Sequence, residues 1–254
     1  MFTCTKAFLR FKQQSQSALS FLALVSHATP LLKQALKQEE KAPGGIIFPQ
    51  PDYFPHQKKA NLKEYIKDYK RNLSAHVFLS SFSFFEAYVS SAINEVFDFH
   101  GGAEAMVIAA NDRCVNSIHC SDPVMIKSKK KLQDAFDQGK KQKYKKHIML
   151  LKGKDFRFPS DLLTPYGILR LSELVSRMRA VQIPEVLCFG LHLRMSQNEK
   201  SQFHGIRDMR NKIAHGEPCS PNLDNAFEAN RFLSNLAIKV DAHIVHNFLI
   251  IEKF

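Results

Sequence analysis

Apolar residues recur every three or four positions along most of this chain, with polar residues between them, in segments long enough for helices of several turns. The pattern predicts helices over residues 4–28, 31–40, 59–71, 73–98 and 103–112, and then over 165–181, 184–194, 198–215 and 223–251. Thr29-Pro30 divides the first pair, because proline disfavours helical backbone in the residue before it. Residues 41–57, with Pro43-Gly44-Gly45 and further prolines, read as a loop or an extended crossing, and Gly101-Gly102 closes the helix at 73–98. Runs of strict alternation bounded by turn residues are nearly absent, so the predicted fold class is all-α, a helical bundle with a long C-terminal helix. At 254 residues the chain fits one elaborated domain or a domain with an insertion. The expected organisation is an N-terminal helical extension with its proline-rich loop over 1–58, then a helical domain over 59–254 that carries a basic insertion at about 124–160.

The helix at 198–215 departs from the ordinary amphipathic pattern. At about 100° per residue, Phe203, Ile206, Arg210, Ile213 and Ala214 share one stripe, while His204, Asp208, Asn211 and His215 share another. Arg210 therefore sits among apolar neighbours, where a guanidinium is costly without a partner. A carboxylate on another buried stripe is the expected partner. Phe82, Glu86, Val89 and Ile93 follow core spacing, which puts Glu86 where an aliphatic residue belongs and predicts a Glu86–Arg210 contact with paired hydrogen bonds. A purely structural ion pair is the competing reading. His215 falls in the last turn, Gly216 suits the left-handed position after it, and Pro218 prevents continuation. The helix dipole favours imidazolium there and nearby arginine or lysine opposes it, which leaves the direction of the shift open. Asn211 lies one turn before His215 on the same stripe, and Arg207 lies between the stripes as added positive charge. Without the surrounding motif, His215 would read as a histidine capping terminal carbonyls.

Arginine and histidine five positions apart provide a cationic clamp beside a group that exchanges protons near neutrality, which suits work on a phosphodiester. RNA carries its own nucleophile, the 2′-hydroxyl. His215 fits general base or acid, and Arg210 fits the non-bridging oxygens. The run Arg210-Asn211-Lys212-Ile213-Ala214-His215-Gly216, late in a helical chain and followed by one more long helix, resembles the HEPN superfamily. The resemblance covers the chain from the motif helix onward and the helix around Glu86, and it implies a HEPN-type bundle. It also implies two motif copies across a homodimer, one composite site of Arg210, Asn211 and His215 from each copy, and no metal or other cofactor. The implied products are a 2′,3′-cyclic phosphate and a free 5′-hydroxyl. A bacterial toxin, stress or phage-defence setting follows from the same resemblance, as does an antitoxin partner. Some members of the superfamily bind RNA or nucleotides without cutting.

Charge widens the set of partners and adds no chemistry. A formal net charge of +12 suits a polyanion, most simply RNA, although an acidic protein or a membrane surface would be drawn by the same field. Much of that charge is concentrated between residues 127 and 157, where Lys129, Lys130, Lys131, Lys141, Lys143, Lys145 and Lys146 are the expected RNA contacts; a solvated helix face is the competing reading. Tyr144, Phe136 and Phe156 could stack on bases, but in the spacing of no known binding module. Five cysteines at irregular spacings argue for a reducing, cytoplasmic compartment. No apolar run reaches the roughly 20 residues of a membrane span, and the first residues lack the plan of a secretory signal. Cys114, His119 and Cys120 lack a second pair at zinc spacing; His243 and His246, with Asp241 close by, are the other weak metal candidate. The metal expectation is therefore none. No phosphate-binding glycine loop or nucleophile elbow is present.

Overall fold

Residues Lys6–Lys41 form one helix, α1, which passes straight through Pro30. The break expected at Thr29-Pro30 does not occur. Proline removes an amide donor and crowds the carbonyl a turn earlier, but Pro30 faces solvent, and the Thr29 hydroxyl donates to the Val25 carbonyl at 2.7 Å. Buried Ser15 and Leu36, on either side, fix both halves of the helix. Burial at two places outweighs one local defect.

The structure is a computed structural model that describes residues 3–41, 58–116, 123, 127, 130, 131 and 165–249. After α1 come α2 (Lys59–Lys67), α3 (Tyr69–Phe99), α4 (Ala103–Asn116), α5 (Pro165–Ser176), α6 (Gln197–Ala214) and α7 (Leu223–Asn247). Among the described residues there is no strand, so the all-α class holds. The helix expected at 184–194 is instead a run of tight turns: a 3-10 turn at Ala180–Gln182, a single α-turn at Ile183–Glu185 and a π turn at Val186–Gly190. Gly190 is held there by its neighbour, since a Cβ on it would lie 2.7 Å from Leu171 Cδ1 on α5. His192 follows in the left-handed region, with φ +57°. The His243 Nε2 hydrogen bond to the Leu191 carbonyl, at 2.6 Å, secures the turn. A carbonyl only accepts, so Nε2 carries the proton and Nδ1 accepts from the Asn247 amide at 3.1 Å.

The chain divides into two compact units. The first comprises Met1–Phe11, Phe85–Arg207 and Asn235–Phe254, and the second comprises Lys12–Phe84 and Asp208–Ser234. Helices α1, α3, α6 and α7 each contribute a segment to both.

In the first unit, Phe85 is fully buried, with Phe11, Tyr88 and Phe203 at ring-centroid distances of 6.2, 6.0 and 6.1 Å. The tilted and edge-on arrangements suit aromatic quadrupoles. The first turn of α1 is held by two carboxylates. Glu95 accepts from the Lys6 and Ala7 amides at 2.9 and 3.0 Å, and Thr5 caps the helix by accepting from the Phe8 amide at 3.0 Å. The Thr5 hydroxyl and amide donate to buried Asp241 Oδ1 at 2.5 and 3.2 Å. These acceptors satisfy orphan donors of the helix end. Tyr88, buried and donating to the Ala237 carbonyl at 3.1 Å, has its phenol pushed above the tyrosine range by desolvation, and further by Asp241 and Glu95.

Desolvation also raises Asp241 above the ordinary aspartate value of 3.8; the Thr5 bonds oppose the rise and Glu95 adds to it. Over the window from 3.8 up to that raised value the folded state binds more protons than the unfolded state, so this group's contribution to stability falls as pH rises. Asp241→Asn keeps an acceptor for Thr5 and removes the ionisation. Denaturation followed between about pH 4 and 7 is expected to show the variant gaining on the wild type as pH increases.

In the second unit a buried polar contact joins three helices. The Asn230 amide on α7 donates to Ser15 Oγ of α1 at 3.0 Å and to Ser81 Oγ of α3 at 2.9 Å. Helix α2 buries no residue of its own. It is tied to α1 by Lys59 on buried Glu39 at 2.6 Å and by Lys63 on Glu40.

Candidate functional site

Helix α6 presents the motif, and local chemistry sets both of its ends. Ser196 and Glu199 form a reciprocal capping box, with Glu199 Oε2 accepting from the Ser196 amide at 2.7 Å and Ser196 Oγ accepting from the Glu199 amide at 3.1 Å. Lys239 on α7 donates to Glu199 at 2.6 Å, and this bond is the main reason the carboxyl is lowered from its usual range. At the other end Gly216 has φ +68°. Its amide donates to the Ile213 carbonyl at 3.2 Å and the Glu217 amide donates to Lys212 at 2.9 Å, the two bonds of a Schellman motif. Gly216→Ala, forced into a left-handed backbone, is expected to cost about 1 kcal/mol in chemical denaturation, and Gly216→Asn less.

The cap fixes the last turn. His215 occupies the capping position, exposed, its amide donating to the Asn211 carbonyl at 2.9 Å. Arg210 is half-buried. Its guanidinium lies 5.5 Å from the centroid of fully buried Phe82 and donates through Nη1 to Asn211 Oδ1 at 3.0 Å. The aromatic face offsets part of the cost of taking the cation out of water. Asn211, with its oxygen committed to Arg210, keeps its amide hydrogens as donors one turn below His215. Arg210 and Asn211 are thus directly joined, and the i, i+4 relation of Asn211 and His215 places all three within the last turn and a half of α6.

Two further expected residues lie on α6 and α3. Arg207 donates to His204 Nδ1 at 2.9 Å, and Glu86 is half-buried on α3; both belong to the first unit, whereas Arg210, Asn211 and His215 belong to the second. On the predicted apolar stripe Phe203 and Ile206 are buried, Ile213 is half-buried and Ala214 is exposed. The stripe therefore loses its cover toward the motif. Lys130 and Lys131 are helical positions, the former exposed and the latter half-buried. Lys129, Lys141, Lys143, Lys145 and Lys146 lie outside the described residues, as do Phe136, Tyr144, Phe156, His119 and Cys120. Both ring nitrogens of His243 are engaged in the Leu191 turn, and among the described residues no group of three His, Cys, Asp or Glu is placed to hold a metal. No helix among them is long and apolar enough to cross a membrane. Sequence reasoning missed the buried, left-handed His192; Gly190 two residues earlier was the one local sign of irregular backbone there.

The chain matches no protein-family model, no curated protein and no solved structure.

Proposed function

We propose that this protein is a metal-independent endoribonuclease in which two copies each contribute Arg210, Asn211 and His215. One His215 takes the proton from the 2′-hydroxyl as its oxygen attacks phosphorus. The other gives a proton to the departing 5′-oxygen, so the products are a 2′,3′-cyclic phosphate and a 5′-hydroxyl and the proton count balances. Arg210 holds the non-bridging oxygens as negative charge builds on them. Asn211 steadies the guanidinium and offers its amide hydrogens to the phosphate. The observation that carries this reading is the Arg210–Asn211 hydrogen bond at 3.0 Å, directly before an exposed His215 whose turn is fixed by a glycine cap. An exposed histidine leaves one proton transfer unassigned within a single copy, and a second copy supplies it. The positive charge of the chain favours RNA as the bound polyanion.

The test is incubation of the purified protein with total RNA in EDTA, followed by analysis of the new ends. Cleavage leaving 5′-hydroxyl ends, lost in both Arg210→Ala and His215→Ala, supports the nuclease. Intact RNA retained in a salt-sensitive manner assigns the same surface to binding without cutting.

A further inference from the structure

An arginine in the last turns of a helix ordinarily carries its charge into water and samples many rotamers. Arg210 is held instead. Its Nε is shut off from solvent, its Nη1 donates to Asn211 Oδ1 at 3.0 Å, and its central carbon lies 5.5 Å from the centroid of the Phe82 ring, over the face. Because Nε faces the interior, any phosphate meets this guanidinium at its Nη end. Phe82 is 0% exposed and has buried Val77, Phe78 and Ser81 close by on α3; the Ser81 hydroxyl is itself fixed by Asn230 of α7 at 2.9 Å. A ring enclosed in a close-packed interior keeps one rotamer. Phe82 and Arg210 belong to the same compact unit.

We propose that Phe82 is a positioning residue for RNA cleavage, its ring face setting the orientation in which the Arg210 guanidinium meets the phosphate. The inference rests on the cleavage reading and adds to it the reason that Arg210 is in place before RNA arrives. The Asn211 bond does not set that orientation by itself. One hydrogen bond to Nη1 fixes a point, about which the guanidinium plane still turns, and the ring against it fixes the plane. A ring face holds a guanidinium through its quadrupole. Unlike a carboxylate, it neither cancels the charge nor occupies N–H donors, so this contact subtracts nothing from what the phosphate oxygens meet. Donors that are ordered beforehand stabilise developing negative charge better than mobile ones, because no ordering is left to be done as the reaction proceeds. Phe82, fully buried, touches neither RNA nor the reacting atoms. It acts only through Arg210.

The test replaces Phe82 alone, in the full chain, with mono-, di- and trifluorinated phenylalanine, which keep the shape of the ring while withdrawing electrons from its face. The kcat for RNA cleavage is expected to fall at each step, to about threefold to tenfold below wild type in the trifluorinated protein. KM and Tm should change little, as for an interaction that acts on the transition state. Phe82→Leu, which removes the face altogether, should lose about tenfold or more. A ring that merely fills the core gives a flat series, and a flat series in a protein that cuts RNA overturns the proposal. The guanidinium is followed separately, without RNA, as solvent exchange of the Arg210 Nε–H in NMR, assigned by its absence in Arg210→Lys. Exchange is expected to be slow in the wild type and faster in the trifluorinated protein; equal rates overturn the proposal. Should the wild type leave RNA intact, the cleavage reading fails on its own, and the exchange rates alone decide whether Phe82 holds the guanidinium. If Phe82→Leu does not fold, the fluorinated series still decides.

Discussion

His215→Ala is expected to slow RNA cleavage by roughly 10²–10⁴-fold, the usual range for losing a positioned proton-transfer group, with little change in thermal stability. The two readouts separate because His215 is exposed and makes its cap through the backbone, so removing the ring leaves the helix end intact. In a symmetric pair the substitution removes base and acid together, which places the loss toward the upper end of that range. Arg210→Lys tests the second half of the site. It keeps the charge but replaces a planar fork of donors with a point charge, losing the Asn211 bond and paired contact to phosphate oxygens. A loss of about 10²–10³-fold in kcat is expected by analogy with removing one donor to a developing oxyanion. Mixing His215→Ala with Arg210→Ala gives a sharper result. If each copy supplies part of one composite site, mixed dimers retain one of the two histidines and one of the two arginines, so activity rises above the more impaired variant and stays well below wild type. A wild-type rate in His215→Ala, measured on the same RNA, ends the nuclease reading.

Phe85→Ala is expected to cost about 3–5 kcal/mol, the range for emptying a fully buried aromatic position. Phe85 joins α1, α3 and α6 through Phe11, Tyr88 and Phe203, so the cavity opens where three helices meet and none can close it by a local shift. For a chain of this length the fall in Tm is roughly 6–20 °C, readable by calorimetry or circular dichroism. Phe85→Leu, which refills much of the volume, should lose less than half as much.

The contrast between these positions shows what the sequence could and could not disclose. Cap chemistry is local, and it was legible: the helix expected at 198–215 is observed at Gln197–Ala214, and the left-handed Gly216 falls where the motif placed it. The all-α class followed from the three-to-four spacing, and the expected start of α7 at Leu223 agrees with the structure. Pro30 misled because its penalty is local while the burial that overrides it comes from distant helices. Residues 184–194 misled for the same reason, since the π turn there is shaped by Leu171 and His243. The Thr5–Asp241 contact joins residues 236 positions apart, a separation at which no periodicity carries information. At the site, the gathering of Arg210, Asn211 and His215 at one helix end was readable from the motif, whereas the Arg210–Asn211 hydrogen bond and Phe82 beneath the guanidinium required the fold.

The Asn230 amide, held by Ser15 and Ser81, has a consequence for how the helices find one another. Apolar ridges are similar from turn to turn, so α7 slipped by one turn along α1 and α3 would still bury much the same hydrocarbon. Slippage would also leave that amide in a dry interior facing no hydroxyl, a loss of about 1–3 kcal/mol. Three polar atoms therefore discriminate among alignments that greasy contact alone would tolerate, and misaligned bundles are discarded during assembly.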